Sequence, residues 1–198
     1  MFQFFETIRY FNAGVENLFF HQQRVEKTFL YNGRICRLNL EEINFNSKAV
    51  EYHINKSEVY KCKLSYNLDG NYSLHFEPYR IRIIKTFSFL DIGLNKYDFK
   101  FVDRDWINKA VSEAKTDEVI FIENELMKDA SYANIVLYDG VNWVTPKKPL
   151  LPGTKRAFLL KEKIIIEQDI YVHQIEKFEK IKFINAMMNW DESPCIDL

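Results

Sequence analysis

Three short groups of residues along the chain have types and spacings that could support chemistry. An H-x-x-R pattern places His21 and Arg24 on neighbouring faces of one predicted helix. A K-x-x-x-R pattern follows at Lys100 and Arg104, and a lysine amine close to other positive groups is a suitable nucleophile and general base. The third group is the run from residue 117 to residue 160, which contains Asp129. The residues therefore offer an amine, a carboxylate and anion-binding cations, in a fixed order.

Other catalytic and metal-binding signatures do not occur in the sequence. It contains no G-x-S-x-G, H-E-x-x-H or P-loop pattern, and no G-x-G-x-x-G followed by a suitable acid. The three cysteines, Cys36, Cys62 and Cys195, are widely separated and lie in no zinc-binding spacing. We therefore expect no metal site and no disulfide framework, with Cys62 buried. Composition alone indicates only a soluble α+β protein.

The order of the three groups resembles that of the class IV aminotransferases. This pyridoxal-phosphate family includes branched-chain and D-amino-acid aminotransferases and aminodeoxychorismate lyase. The segment ETIRYF at residues 6–11 is similar to the opening strand of the family, and Asn134-Ile135 is similar to its N-I/L-F strand. The segment LLPGTKR at residues 150–156 is similar to its phosphate-binding turn. The resemblance covers most of the chain and is clearest from residue 100 to residue 160.

The resemblance implies a role for each candidate residue. Lys100 matches the lysine that binds the cofactor covalently, and its amine would later move the Cα proton of the substrate. Asp129 falls where a carboxylate faces the pyridine nitrogen, and Arg24 matches the arginine that binds the phosphate. The other implied residues are Gly153, Thr154, Lys155 and Asn185 for cofactor binding, and Lys63 and Arg104 for substrate binding.

The implied protein is an α+β, two-domain fold type IV pyridoxal-phosphate enzyme, similar to D-amino-acid aminotransferase. Residues 1–90 would form a small α+β N-terminal domain, and residues 91–198 the cofactor-binding domain. The implied reaction is transamination, or a lyase step on an amino-substituted, chorismate-like acid, in a homodimer. The alternative is a non-catalytic relative that keeps the fold and binds pyridoxal phosphate. Retention of Lys100 favours the enzyme. The short chain, and Asp129 in place of the usual glutamate, favour the relative, and Lys155 also replaces a common hydroxyl residue.

Several of these residues also have ordinary structural interpretations. Asp129 in KDASYAN could occupy a turn or a helix cap. Lys61 and Lys63 alternate along a predicted strand, as charges on the wet face of a sheet do. His21 is expected to pack beneath the site rather than to react.

Apolar periodicity predicts the elements that carry these residues. A strand at residues 2–11 ends in a turn at residues 12–14, and a helix follows over residues 15–31 with a stop at Asn32-Gly33. Alternation and turn residues then predict two or three strands within residues 59–91 and a meander at residues 118–146. Helices are predicted near residues 104–115 and 154–162, and strand, short helix and strand complete the chain.

Composition excludes several classes of partner. The chain has 27 Lys and Arg against 28 Asp and Glu, for a net charge of -1, so no basic surface for nucleic acid or an anionic membrane is expected. No apolar run approaches the length of a membrane span. We therefore expect a cytoplasmic protein with a small-molecule substrate.

Overall fold

The computed structural model describes residues 1–198, and the chain forms two compact units. The first unit comprises Met1–Arg80 and Phe99–Asp103, and the second comprises Ile81–Asp98 and Arg104–Leu198. The predicted division near residue 90 falls inside the second unit. Lys100 belongs to the first unit, whereas the sequence analysis assigned it to the C-terminal domain.

The first unit is built on a four-stranded antiparallel sheet with the strand order β2-β1-β3-β4. Strand β1 is buried along nearly its whole length, including its charged residues Glu6 and Arg9. The helix expected from residue 15 begins three residues later, because Gly14 and Val15 pair back onto β1 as a short strand. It ends at the predicted Asn32-Gly33 stop, where Gly33 has a φ of 66°. The elements are β1 Phe4–Phe11, β2 Gly14–Val15, α1 Leu18–Tyr31, a 3-10 helix Leu40–Glu42, α2 Phe45–Glu51, β3 Tyr60–Tyr66 and β4 Tyr72–Pro78.

The second unit is built on an eight-stranded mixed sheet. Its main path has the order β10-β9-β8-β7-β6-β5, and β11 pairs with both β8 and β12. The strands are β5 Phe87–Asp91, β6 Glu118–Glu123, β7 Leu126–Ala130, β8 Asn134–Tyr138, β9 Trp143–Pro146, β10 Ile166–Gln168, β11 Lys180–Ile184 and β12 Cys195–Asp197. The helices are α3 Asp105–Glu113, α4 Thr154–Lys161 and a 3-10 helix Val172–Lys177.

The predicted meander is present, and it contains one strand more than its pattern indicated. Strands β6, β7, β8 and β9 pair in sequence as antiparallel neighbours. Strand β7 carries Lys128 and Asp129 as buried charged residues, which interrupt the apolar pattern. Helices α3 and α4 lie where they were expected.

Each unit has its own apolar core. Ile8, Val25 and Phe29 are fully buried in the first unit, and Cys62 is buried beside them as predicted. Ile120, Ile135 and Phe183 are fully buried in the second. No helix combines the length and the apolar character that a membrane span requires.

Candidate active site

A buried ionic cluster in the first unit joins strand β1 to helix α1. The Glu6 carboxylate is fully buried and receives hydrogen bonds from Nε of Arg24 at 2.9 Å and from Nη2 of Arg24 at 2.5 Å. His21 donates from Nδ1 to Oε2 of Glu6 at 2.6 Å. His21 and Arg24 lie on α1 at the spacing that directs both side chains toward the same strand residue. The H-x-x-R pattern therefore meets a carboxylate that the sequence analysis did not identify.

The charges of this cluster are balanced within it. Burial alone would raise the pKa of Glu6, but the positive charge of Arg24 and the hydrogen bond from His21 lower that pKa to about 2. Burial lowers the pKa of His21 against the opposing influence of Glu6, so its imidazole is neutral near pH 7. The cluster therefore holds one carboxylate and one guanidinium, with no net charge.

Lys100 lies beside the start of the same strand. Its carbonyl accepts a hydrogen bond from the amide of Phe5 at 3.0 Å, and its ammonium lies 4.7 Å from the centre of the Phe5 ring. The ammonium of Lys63, on β3, lies 5.1 Å from the same ring centre. Phe5 and Glu6 are consecutive on β1 and point to opposite faces of the sheet. The charge of Lys100 adds to the lowering of the His21 pKa by burial, so Lys100 lies near the cluster. Lys63 pairs with Thr7, and its side chain therefore lies on the face opposite to Glu6 and Arg24. Lys63 is half-buried there, not on a fully exposed face.

A second buried carboxylate, that of Asp129, lies in the second unit on strand β7. Its Oδ1 accepts from Nδ2 of Asn134 at 2.7 Å, and its Oδ2 accepts from the amide of Leu151 at 2.7 Å. Burial raises the pKa of Asp129 to about 6 against the lowering effect of these hydrogen bonds. The turn or cap interpretation of Asp129 is wrong, because the residue is a buried member of a strand.

Helix α4 begins at the Gly153 turn, close to Asn134. A side chain at Gly153 would overlap the amide oxygen of Asn134, so only glycine fits between the turn and that residue. No side chain caps the start of α4, and its first turn contains no acidic residue but does contain buried Lys155 and Arg156. The first amides of a helix and nearby cations form a region that favours an anion.

The remaining predicted residues of the second unit lie on elements adjoining Asp129 and Asn134. Arg104 donates from Nη2 to the carbonyl of Ser131, two residues after Asp129. Asn185 follows Ile184, which is the β11 partner of Asn134, and its Oδ1 accepts from the amide of Met187 at 2.8 Å. Thr154 is buried at the first position of α4. The second unit thus gathers its predicted residues at one end of β7 and β8.

Glu6 is the main residue that sequence reasoning missed. It stands alone among aromatic residues in a strand, and its partners are 15 and 18 residues away. The available signal was a carboxylate in a strand that is otherwise mostly apolar or aromatic. Such a residue needs a buried cation or donor.

The sequence matches one protein family. The profile of the amino-transferase class IV family matches residues 98–191. An uncharacterized protein of Haemophilus influenzae is 32% identical over 189 residues, which cover 94% of this chain and 98% of that protein.

Solved structures resemble the whole chain. A provisionally named 4-amino-4-deoxychorismate lyase from Haemophilus somnus is 31% identical, with a TM-score of 0.82 over 94% of this chain and 97% of its own. A provisionally named amino-acid aminotransferase from Mesorhizobium loti has a TM-score of 0.78 at 19% identity, over 100% of both chains. At that identity the second structure is similar in fold alone.

Proposed function

Because the chain belongs to the class IV aminotransferase family and has the type IV fold, we propose that it is a pyridoxal-phosphate-dependent enzyme. Its substrate is a small amino acid or an amino-substituted, chorismate-like acid. Its reaction is transamination, or the lyase reaction named for the Haemophilus somnus protein. The proposal extends the family assignment to a reaction, a cofactor and named residues.

One observation carries the proposal: Lys100 adjoins the strand that binds the H-x-x-R helix. The two motifs are separated by more than seventy residues of sequence. They meet on β1, where Phe5 contacts the Lys100 segment and Glu6 binds His21 and Arg24.

The residues of the second unit fit the other chemical groups of pyridoxal phosphate. A carboxyl with a pKa raised to about 6 by burial is suited to a cationic ring nitrogen, which would compensate its charge. A carboxylate has lone pairs for about four hydrogen bonds, more than the two short ones that Asn134 and Leu151 donate. The start of α4 is suited to a phosphate dianion because it carries cations and helix amides.

The proposed roles of the chain's own groups follow from these positions. When bound, pyridoxal phosphate supplies an aldehyde and a ring that withdraws electrons from the substrate Cα. The Lys100 amine would hold the aldehyde group and would take and return the proton at the substrate Cα. Asp129 would keep a proton at the ring nitrogen. In the first unit, Arg24 would contribute oriented hydrogen bonds to the phosphate, while its charge is already balanced by Glu6. In the second unit, Lys155 would supply positive charge, because Arg156 is paired with Glu167 at 2.7 Å.

Borohydride reduction of the protein with pyridoxal phosphate tests the proposal. Peptide mapping should locate the pyridoxyl group on Lys100, and Lys100→Ala should abolish both the label and the visible absorption band of the cofactor. Lys96→Ala is the matched control, because Lys96 is an exposed lysine four residues away. It should keep the label.

The remaining outcomes separate the reactions. Amino acids of both enantiomer series should convert the cofactor spectrum in a single turnover, and a 2-oxo acid should reverse it. Pyruvate released from aminodeoxychorismate without such conversion would identify the lyase. A label on Lys100 with neither reaction would identify the non-catalytic relative, and a label only at another lysine would contradict the assignment of Lys100.

A further inference from the structure

Lys182, on strand β11, is a buried lysine whose ammonium is held by a carbonyl and two aromatic rings. Only 8% of the residue is exposed. The ammonium donates to the carbonyl of Trp190 at 3.0 Å, and it lies 4.3 Å from the centre of the Trp190 ring and 5.3 Å from that of Trp143. None of these contacts is with a carboxylate. Burial of a cation is costly, so the carbonyl and the two rings must keep the ammonium at one position.

Trp190 lies in the middle of the loop of residues 185–194, which joins β11 to β12. Besides its contact with Lys182, its ring packs against the apolar cluster that includes Val136 on β8 and Leu159 on α4. The contact between Lys182 and Trp190 therefore fixes the middle of the loop to the sheet and to α4.

The same loop begins beside the proposed cofactor site of this unit. Its first residue, Asn185, follows Ile184, which pairs with Asn134 on β8. Asn134 in turn packs against Gly153, where α4 begins. Asn185 folds the start of the loop into a turn, because its Oδ1 accepts from the amide of Met187 at 2.8 Å. This turn and the start of α4 therefore lie at the same end of the sheet.

We propose that Lys182 is a positioning residue for the cofactor phosphate, which it serves by holding the loop of residues 185–194 in place. The proposal rests on the proposed function, in which Asn185 and the start of α4 bind the phosphate. Without the ammonium, the Trp190 carbonyl loses its donor and the middle of the loop loses its hydrogen bond to β11. The turn at Asn185 is then no longer held in its binding position before the phosphate arrives, and binding has to supply that order.

Binding of pyridoxine phosphate and of pyridoxine to the cofactor-free protein tests this role. Neither compound has an aldehyde, so neither can attach to Lys100, and the ratio of their dissociation constants isolates the phosphate. The unmodified protein should prefer the phosphate ester at least about 100-fold. Lys182→Met keeps an unbranched side chain and removes the ammonium. It should reduce this preference by about 10-fold or more while changing pyridoxine binding by less than about 3-fold.

Lys180→Met is the matched control. Lys180 lies two residues earlier on the same strand and therefore on the same face of the sheet, but its side chain is 45% exposed and lies 3.6 Å from Asp197. This variant should keep the preference for the phosphate ester. Backbone hydrogen exchange in peptides that cover residues 185–194 should be faster in Lys182→Met than in Lys180→Met.

The possible outcomes separate this role from general destabilisation. An equal loss of affinity for pyridoxine and for its phosphate, or an unchanged preference in Lys182→Met, overturns the proposal. If Lys182→Met does not fold, Trp190→Leu removes the ring contact from the loop side and should also reduce the preference, and a retained preference overturns the proposal. Borohydride labelling of Lys100 with pyridoxal phosphate reports on the proposed function separately. A labelled protein whose Lys182→Met variant keeps the preference refutes this inference alone, whereas an unmodified protein without any label or preference refutes both.

Discussion

Two buried carboxylates illustrate how the partners of a residue decide its protonation. Glu6 faces a guanidinium and an imidazole, and its pKa falls to about 2. The hydrogen bonds to Asp129 come from neutral amides, those of Asn134 and Leu151, and burial raises its pKa to about 6. Both side chains are buried. Arg24 is hydrogen-bonded to Glu6, whereas Arg156 lowers the pKa of Asp129 only by its charge and does not offset the effect of burial. Asp129 is therefore the carboxylate better suited to receive a cationic partner.

Asp129 should make the cofactor-free protein less stable as pH rises from about 4 to 6. In this window the folded state binds more protons than the unfolded chain, because the pKa of Asp129 is about 6 in the folded protein and the ordinary pKa of an aspartate is 3.8. The free energy of unfolding should therefore fall with rising pH, by at most about 3 kcal/mol. Denaturant titrations at several pH values should show this fall in the natural protein and not in Asp129→Asn. Parallel pH profiles for the two proteins would contradict the burial argument.

Arg24→Ala should lower the free energy of unfolding more than removal of Arg9, another buried arginine, whose carboxylate partner is partly exposed. The change leaves Glu6 charged and without its cation, which typically costs about 3 to 5 kcal/mol. Arg9→Ala is the matched control, because Arg9 is buried on β1 but pairs at 2.7 Å with Glu16, whose side chain is 37% exposed. Its ion pair should contribute about 1 kcal/mol or less.

The affinity for pyridoxal phosphate gives a second readout of Arg24. If Arg24 also binds the phosphate, the folded fraction of Arg24→Ala should bind the cofactor more weakly by about 1.5 to 3 kcal/mol. Fluorescence titration with the cofactor measures this term apart from unfolding. Unchanged affinity would limit Arg24 to its pairing with Glu6.

At the scale of elements, the start of α4 depends on a close approach and not on an unusual backbone conformation. Gly153 has a φ of -74° and a ψ of 147°, which any residue adopts. Its requirement for glycine comes from Asn134, which occupies the space of a side chain. The turn, Asn134 and Asp129 are therefore one packed assembly.

Gly153→Ala should displace Asn134 and destabilise the protein by about 1 to 3 kcal/mol, the usual cost of overpacking. It should also weaken cofactor binding, because Asn134 donates to Asp129. Gly14→Ala is the control: its added carbon would meet its nearest neighbour at an ordinary 3.7 Å. Thermal unfolding and cofactor titration of the two variants provide the comparison, and equal behaviour would refute the packing argument.

The elements that sequence could predict are those whose pattern is local. Helix α4 begins directly after the Pro152-Gly153 turn, and α1 ends at Asn32-Gly33. The residues adjacent to each boundary therefore predict the start of α4 and the end of α1. Strand β7 was missed because Lys128 and Asp129 are buried, and their partners, Glu123 and Asn134, are supplied by pairing strands.

The candidate site divides in the same way. Lys100, Arg24 and Asp129 were found through motifs. Glu6 was not, because its role depends on a helix that reaches it only after folding. The contacts of Arg104 with Ser131, and of Glu118 with Ser131, likewise join residues that are distant in sequence. No periodicity could reveal them.

At the scale of the whole molecule, we expect a homodimer. The family resemblance implies it, and large apolar side chains are exposed on the first unit, with Leu30 at 76%, Ile35 at 86% and Val50 at 74%. Such surface is commonly covered by a second copy of a chain. Sedimentation at micromolar concentration should show a dimer, and dilution should release cofactor and monomer together. A cofactor-bound monomer over that range would contradict this expectation.

The path of the chain between the units also has a consequence for synthesis. The first unit consists of two segments of the chain, Met1–Arg80 and the five residues Phe99–Asp103. The residues between them, Ile81–Asp98, belong to the second unit. The five residues of the second segment bond to β1 through Phe5 and Gln3 and add Phe99 and Phe101 to the core. A nascent chain that has emerged only to Arg80 lacks that part of the core and leaves an edge of β1 unpaired. The unit that begins first on the ribosome is therefore completed only when the lysine proposed for catalysis has itself emerged.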